Sequence, residues 1–265
     1  MRSRNLPIVD AGYWAAIVAA SMCGANTGDL AAGPLGLGHI GGLLPLAAVF
    51  AAIVWAEKRL SWTTVAFYWF AIIVLRTMAT NIADFGTHDL KLSYPAFEAA
   101  LAALMAAMVW FDKTNGAEAS GIRDRNGVWR GLPATNWNYW IVMLTAGTLG
   151  TALGDWIAQG FGFGVYWGSV VCVPIFLGAL GLALTVGKLS KPWYWIAIVA
   201  CRTLGTDLGD MLVALFRTVT PTRALALWIS TACTAALLAA IIHFWSRTAA
   251  DRLQLSNPKP FTPSL

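Results

Sequence analysis

Charge is what this sequence has least of. Asp, Glu, Lys and Arg make up only 12% of its 265 residues, against 58% apolar, roughly half the charge of a soluble domain. Histidine occurs three times and cysteine four times, at 23, 172, 201 and 233, with no Cys-x-x-Cys pair. That spacing argues against a zinc knuckle or a disulfide framework and leaves buried, inert thiols as the expectation. No nucleophile–base pairing, metal-hydrolase helix or haem-attachment motif is present, so a membrane enzyme is the least favoured class. The glycines at 36–42 and 162–168 follow no strand, so they form no nucleotide-binding fingerprint.

What the sequence does have is long uncharged runs, such as 40–56, 63–75, 166–187 and 224–242. A run of about 20 apolar residues spans a hydrocarbon core. Eight such spans are expected, near 8–28, 40–56, 63–83, 95–111, 136–154, 164–187, 192–212 and 222–245. The fold class is therefore all-α, a polytopic membrane bundle whose main partner is the lipid bilayer. The net charge of +5 does not signal nucleic acid, because the basic residues sort by side. Arg2, Arg4, Lys58, Arg59, Lys113, Arg123, Arg125, Arg130, Lys188, Lys191, Arg247, Arg252 and Lys259 fall on one side, and Lys91, Arg217 and Arg223 on the other. Positive charge marks the cytoplasmic face. Both termini are expected there, in a bacterial inner membrane. The N-terminal pattern of basic, apolar and small residues imitates a signal peptide. It is expected to stay uncleaved, because the first span is matched deeper in the chain.

That match is a duplication. Shifted by 126 residues, the sequence meets itself without a gap: Tyr13 and Trp14 meet Tyr139 and Trp140, Asp29 meets Asp155, Tyr68 and Trp69 meet Tyr194 and Trp195, and Arg76 and Asp84 meet Arg202 and Asp210. A weaker period of 55 lies inside each half, linking Asp29 to Asp84 and Asp155 to Asp210. The expected organisation is a first four-helix half over 1–111, a mobile polar linker over 112–135, a second half over 136–246 and a tail over 247–265. Its four helix hairpins are parallel repeats.

Each unit ends its first helix with small-xxx-small-Asp: Gly24/Gly28/Asp29, Ala79/Ala83/Asp84, Gly150/Gly154/Asp155 and Gly205/Gly209/Asp210. Residues four apart share a helix face, and small ones let helices approach closely in lipid. Gly24, Gly28, Gly150, Gly154, Gly205 and Gly209 are thus expected packing positions. The acids are harder to explain, because a carboxylate in hydrocarbon must face protein, water or a cation. Asp29, Asp84, Asp155 and Asp210 are candidate substrate- or ion-binding residues, together with Arg76, Arg202, Thr80 and Thr206. Arg76 and Arg202 lie eight residues before Asp84 and Asp210, with Thr80 and Thr206 between. They are expected to bind an anionic group, to hold the acids in register, or to form a structural pair with an acid or a carbonyl. The glycine-rich stretches after Asp29 and Asp155 are expected to be re-entrant or tightly folded outer loops. Trp14, Trp55, Trp62, Trp110, Trp137, Trp140, Trp193, Trp195 and Trp245 sit near span ends and read as an interfacial belt.

The T-x-G-T-x-x-G-D-like signature, repeated at 22–29, 77–84, 148–155 and 203–210, resembles a family of bacterial integral membrane proteins defined by a tandem repeat of unknown function. Met22 replaces Thr in the first unit. The resemblance implies a topology and no activity. From the residues themselves, the expected function is a transporter or channel-like protein for a small cation, either a divalent metal or a proton-coupled solute. Asp84 and Asp210 would be metal contacts, since oxygen-rich sites suit Mn²⁺ and similar ions. His39 and His88 stand on the same side but are not repeated. No resident cofactor is indicated. The alternative is a non-transporting scaffold or a subunit of a membrane complex.

Overall fold

The computed structural model describes residues 6–60, 65–113 and 124–256. Among these no β-strand forms. The helices are α1 (Ala11–Ala32), α2 (Gly38–Gly41), α3 (Leu43–Arg59), α4 (Val65–Asp84), α5 (Tyr94–Phe111), α6 (Trp137–Asp155), α7 (Gly164–Thr185), α8 (Lys191–Arg217) and α9 (Arg223–Ser256). Eight of them are long, one for each expected span. Six segments are long and apolar enough to cross a membrane: Gly38–Glu57, Val65–Asp89, Tyr94–Phe111, Trp137–Gly160, Gly164–Thr185 and Arg223–Trp245. The other two long helices, α1 and α8, do not meet that measure. They carry much of the polar sequence, including Ser21, Asn26 and Asp29 on α1 and Arg202, Asp207 and Asp210 on α8.

The first helix of each hairpin goes inside. α1 packs on α4, α4 on α6, α6 on α8, and α8 back on α1, which closes a ring of four. The second helices go outside, and each leans mainly on the inner helix of the next unit. α3 covers α4, α5 covers α6, α7 covers α8, and α9 returns to cover α1. The result is a pinwheel. The two expected halves are therefore not separate bundles, since the inner helices of both close one ring around a common axis.

The outer helices turn apolar side chains outward. Leu44, Trp110 and Phe111 are each more than three-quarters exposed, and Glu98 is the only buried residue of α5. An exposed apolar surface of this extent is a membrane-facing surface, and the chain has the build of a membrane protein.

Side-chain caps start α1 and α6. Asp10 accepts from the Tyr13 N–H at 3.1 Å, and its repeat mate Asn136 accepts from the Tyr139 N–H at 2.9 Å; such caps satisfy donors that the first turn leaves open. The linker is only partly a free connection. Residues 114–123, where most of the expected mobility falls, lie outside the described residues. After them, Val9 N–H donates to Arg130 O and Trp129 N–H to Lys188 O, and Val128 and Leu132 are buried in the core. Asp124 pins the turn. The Val128 N–H, the Arg130 guanidinium and the Asn126 N–H hold its carboxyl below the usual carboxylate range. At the other end, residues 247–256 of the expected tail continue α9 as helix, and 257–265 lie outside the described residues.

The glycine-rich stretches after Asp29 and Asp155 are tightly folded. Gly36 and Gly38 adopt φ of 69° and 64°, and their repeat mates Gly162 and Gly164 adopt 73° and 71°, a conformation side chains disfavour. In units two and three, a single π-helical turn, Phe85–Asp89 or Trp156–Gly160, follows the acid directly. Such turns often mark functional positions.

Candidate functional site: a four-carboxylate cavity above a guanidinium layer

Because the four inner helices are repeats in one register, equivalent residues form layers across the axis. Three layers matter. A tyrosine comes 16 residues before each acid and an arginine-register residue eight before it. At 1.5 Å per residue these levels lie about 24 Å and about 12 Å below the acids.

The lowest layer is a closed ring of hydroxyls. Tyr13 and Tyr68 meet at 3.1 Å, Tyr68 and Tyr139 at 2.8 Å, Tyr139 and Tyr194 at 3.3 Å, and Tyr194 and Tyr13 at 2.7 Å. A phenol can donate once and accept, so four can satisfy one another around a square. Trp14, Trp69, Trp140 and Trp195 follow the tyrosines in sequence, and each lies edge-on to its own Tyr at 5.1–5.4 Å. Each Tyr also touches the Trp of an adjacent unit: Tyr13 with Trp69, Tyr68 with Trp140, Tyr139 with Trp195 and Tyr194 with Trp14, at 5.5–6.2 Å. This corrects the interfacial-belt reading for Trp14, Trp140 and Trp195, which are core residues at 7% exposure or less. Trp55, Trp110 and Trp137 are exposed as expected, and Trp62 lies outside the described residues. The signal for this layer was a Tyr-Trp pair in all four units at a constant distance from Asp.

The middle layer holds Arg76 and Arg202, both 1% exposed. Their pseudo-equivalents are small, Ser21 and Gly147, so two large side chains alternate with two small ones. Arg76 turns toward the acids. Its guanidinium donates to the Thr80 hydroxyl at 3.1 Å, to the Gly147 carbonyl at 3.4 Å, and to the hydroxyls of Thr151 and Thr206. Arg202 donates to the Ser21 hydroxyl at 3.0 Å and to the Met143 sulfur at 3.3 Å. Of the two expected pairings, Arg76 makes the carbonyl pair, Arg202 takes a hydroxyl and a sulfur instead, and among the described residues neither is paired with an Asp. The threonine spacing places hydroxyls one turn above the arginine layer, where the Arg76 guanidinium meets them before it can reach the acids.

The glycines expected to permit close approach do so. A Cβ at Gly24 would lie 2.5 Å from Arg76 Cβ, at Gly28 2.8 Å from Thr80 Cβ, at Gly150 2.5 Å from Arg202 Cβ, and at Gly205 2.2 Å from Ser21 Cβ. At Gly154 and Gly209 the nearest neighbours would be 3.3 Å and 3.0 Å away. The arginine layer exists because glycine on the neighbouring helix leaves room for each arginine stem.

The upper layer is a cavity of about 910 Å³ at the end of the ring. Asp29, Asp84, Asp155 and Asp210 all line it, with Thr80, Thr151 and Thr206 below and His39, His88 and Arg223 among the residues nearer its mouth. The structure thus gathers all four sequence-predicted acids around one space. Arg223 donates to Asp29 at 3.0 Å, and His39 pairs with Asp89 at 2.9 Å. Among the described residues, no group of three His, Cys, Asp or Glu side chains is placed to hold a metal ion. Asp207, one turn before Asp210, faces α7 rather than the cavity. It is 1% exposed and accepts from the Cys172 thiol at 2.8 Å.

Comparison with known proteins adds one finding. A family model described as Repeat of Unknown Function (DUF347) matches residues 12–61 and 193–251, the first and fourth hairpins. In these regions the chain is similar to a repeat family to which no function is attached. No curated protein and no solved structure matches it.

Proposed function

We propose that the protein is a non-enzymatic membrane transporter that admits a small cation into the four-carboxylate cavity. The observation that carries this reading is the convergence of Asp29, Asp84, Asp155 and Asp210 on one 910 Å³ space. Carboxylates placed among apolar helices raise the local concentration of cations and favour their entry. Below the cavity the axis is filled by Arg76, Arg202 and the tyrosine ring. The reading is therefore of a one-sided state of an alternating-access carrier, not an open pore. All eight long helices span the bilayer, since α1 and α8 stand side by side with α4 and α6 from the tyrosine level to the acid level. The termini lie in the cytoplasm of a bacterial cell, by the bias of Lys and Arg, and the cavity opens outward.

The test is flux into proteoliposomes across a panel of metal ions, protons and organic cations. Wild-type protein is expected to carry at least one of them. The quadruple Asp29→Asn, Asp84→Asn, Asp155→Asn and Asp210→Asn variant should insert, fold and carry none. A second reading, a non-transporting scaffold, draws support from the filled axis. It requires that the quadruple variant lose no measurable property.

A further inference from the structure

The four acids are not equivalent. Asp29 is paired with Arg223 at 3.0 Å, and Asp84 lies 3.8 Å from His88 Nδ1. Asp155 and Asp210 sit on the neighbouring helices α6 and α8, and among the described residues no cation is paired with either. Asp155 is 6% exposed, and its Oδ2 is buried with no hydrogen-bond partner. A buried carboxylate oxygen without a donor is costly, and Asp155 is among the residues that line the cavity.

We propose that Asp155 and Asp210 bind a small organic amine, its ammonium group held between the two carboxylates. This rests on the cation reading above and names its substrate class. The chemistry of the surrounding donors and acceptors supports it. Thr151 and Thr206 lie one turn below the two acids, and their hydroxyl hydrogens are already given to Gly147 O at 3.2 Å and Arg202 O at 3.1 Å. Each hydroxyl also accepts from Arg76. Beside the acids, this floor therefore offers only lone pairs, which suits a ligand rich in N–H donors. An ammonium brings three such donors. A dehydrated divalent ion asks for about six oxygen ligands, and the carboxylates are not gathered into such a nest. Val213, Ala214 and Leu227 line the cavity too, giving a short apolar body a surface to lie on. The volume falls in the range of roughly 300–1,000 Å³ typical of small-molecule pockets.

The experiment is thermal unfolding of the full chain in detergent. Ethylammonium, tetramethylammonium, magnesium and manganese chlorides are compared at matched ionic strength. Ethylammonium should raise Tm in a saturable way, as a ligand of the folded state does. Tetramethylammonium, with no N–H, should do so only weakly. Asp155→Asn and Asp210→Asn should raise the half-saturating ethylammonium concentration about tenfold, the order of one charge-assisted hydrogen bond. Asp29→Asn and Asp84→Asn should change it less than about threefold on the same scale. A measurement on unmutated protein guards against misfolding of the variants: a water-soluble carbodiimide should couple ethylamine to Asp155 or Asp210, with a yield that saturates in amine. Stabilisation by the divalent ions but not the amine overturns the amine assignment. Equal losses in all four variants, or saturable coupling at Asp29 or Asp84 alone, overturns the subsite. If no cation of any kind stabilises the protein or crosses with it, the cation reading itself fails.

Discussion

A tyrosine in the lowest layer belongs to a ring of hydroxyls, and that makes its removal unlike the loss of an isolated hydrogen bond. Taking one member away leaves a neighbour's donor and another's acceptor unpaired inside a dry core. That penalty is about 1–3 kcal/mol. Taking all four away leaves nothing unpaired. Tyr13→Phe, Tyr68→Phe, Tyr139→Phe and Tyr194→Phe should each lower the Tm in detergent, and the quadruple variant should be less destabilised than the four losses added together. Simple additivity would mean that the hydroxyls do not act as a ring. Arg76 shows the opposite limit of sequence reading. Its position in a span was plain, and so was its need for a partner. Which partner it takes depends on how a long, flexible side chain turns within its layer. The three threonine hydroxyls come from three different helices, and the repeat register does not encode that convergence directly.

Helices pack here by what they leave out. Gly150 and Gly178 are both helical glycines in apolar sequence, and a local view gives them the same propensity cost. The structure separates them. A Cβ at Gly150 would meet Arg202 Cβ at 2.5 Å and the Thr203 backbone nitrogen at 3.0 Å, whereas at Gly178 nothing lies within 4 Å. Gly150→Ala should therefore destabilise, by about 1–3 kcal/mol as an overpacked core position does. Gly178→Ala should be neutral or stabilising by up to about 1 kcal/mol, since alanine favours the helix. Unfolding midpoints of the two variants against wild type decide it. The small-xxx-small pattern was legible in the sequence as a packing signal. The identity of the opposing helix was not, because a hairpin suggests that its two arms cover each other, and here the second arm covers the next unit instead. The π turns after Asp84 and Asp155 also left no readable mark, since they differ from α-helix by one residue's slip in hydrogen bonding.

For the molecule as a whole, the repeat was legible at full length, and so was the shared register of the acids. The closed ring was not. A period in sequence says that units are alike; it does not say whether they stack in a row or close on a common axis. The proposed orientation rests on the bias of basic residues and can be checked directly. Reporter fusions ending at Lys113 should report the cytoplasm, and fusions ending at Leu92 the outside. The reverse result at either site would turn the cavity to the other face.

The shift of 126 residues makes the molecule, in outline, a dimer written in one chain. In a true two-fold dimer every feature of one copy must be present in the other. Here the residues near the cavity mouth break that rule. His39 and His88 stand where the second half has Val165 and Ala214, and Arg223 stands where the first half has Phe97. Joining the copies frees each from obeying the other. The paired acids Asp29 and Asp84 and the unpaired acids Asp155 and Asp210 can then take different tasks around a frame that remains two-fold.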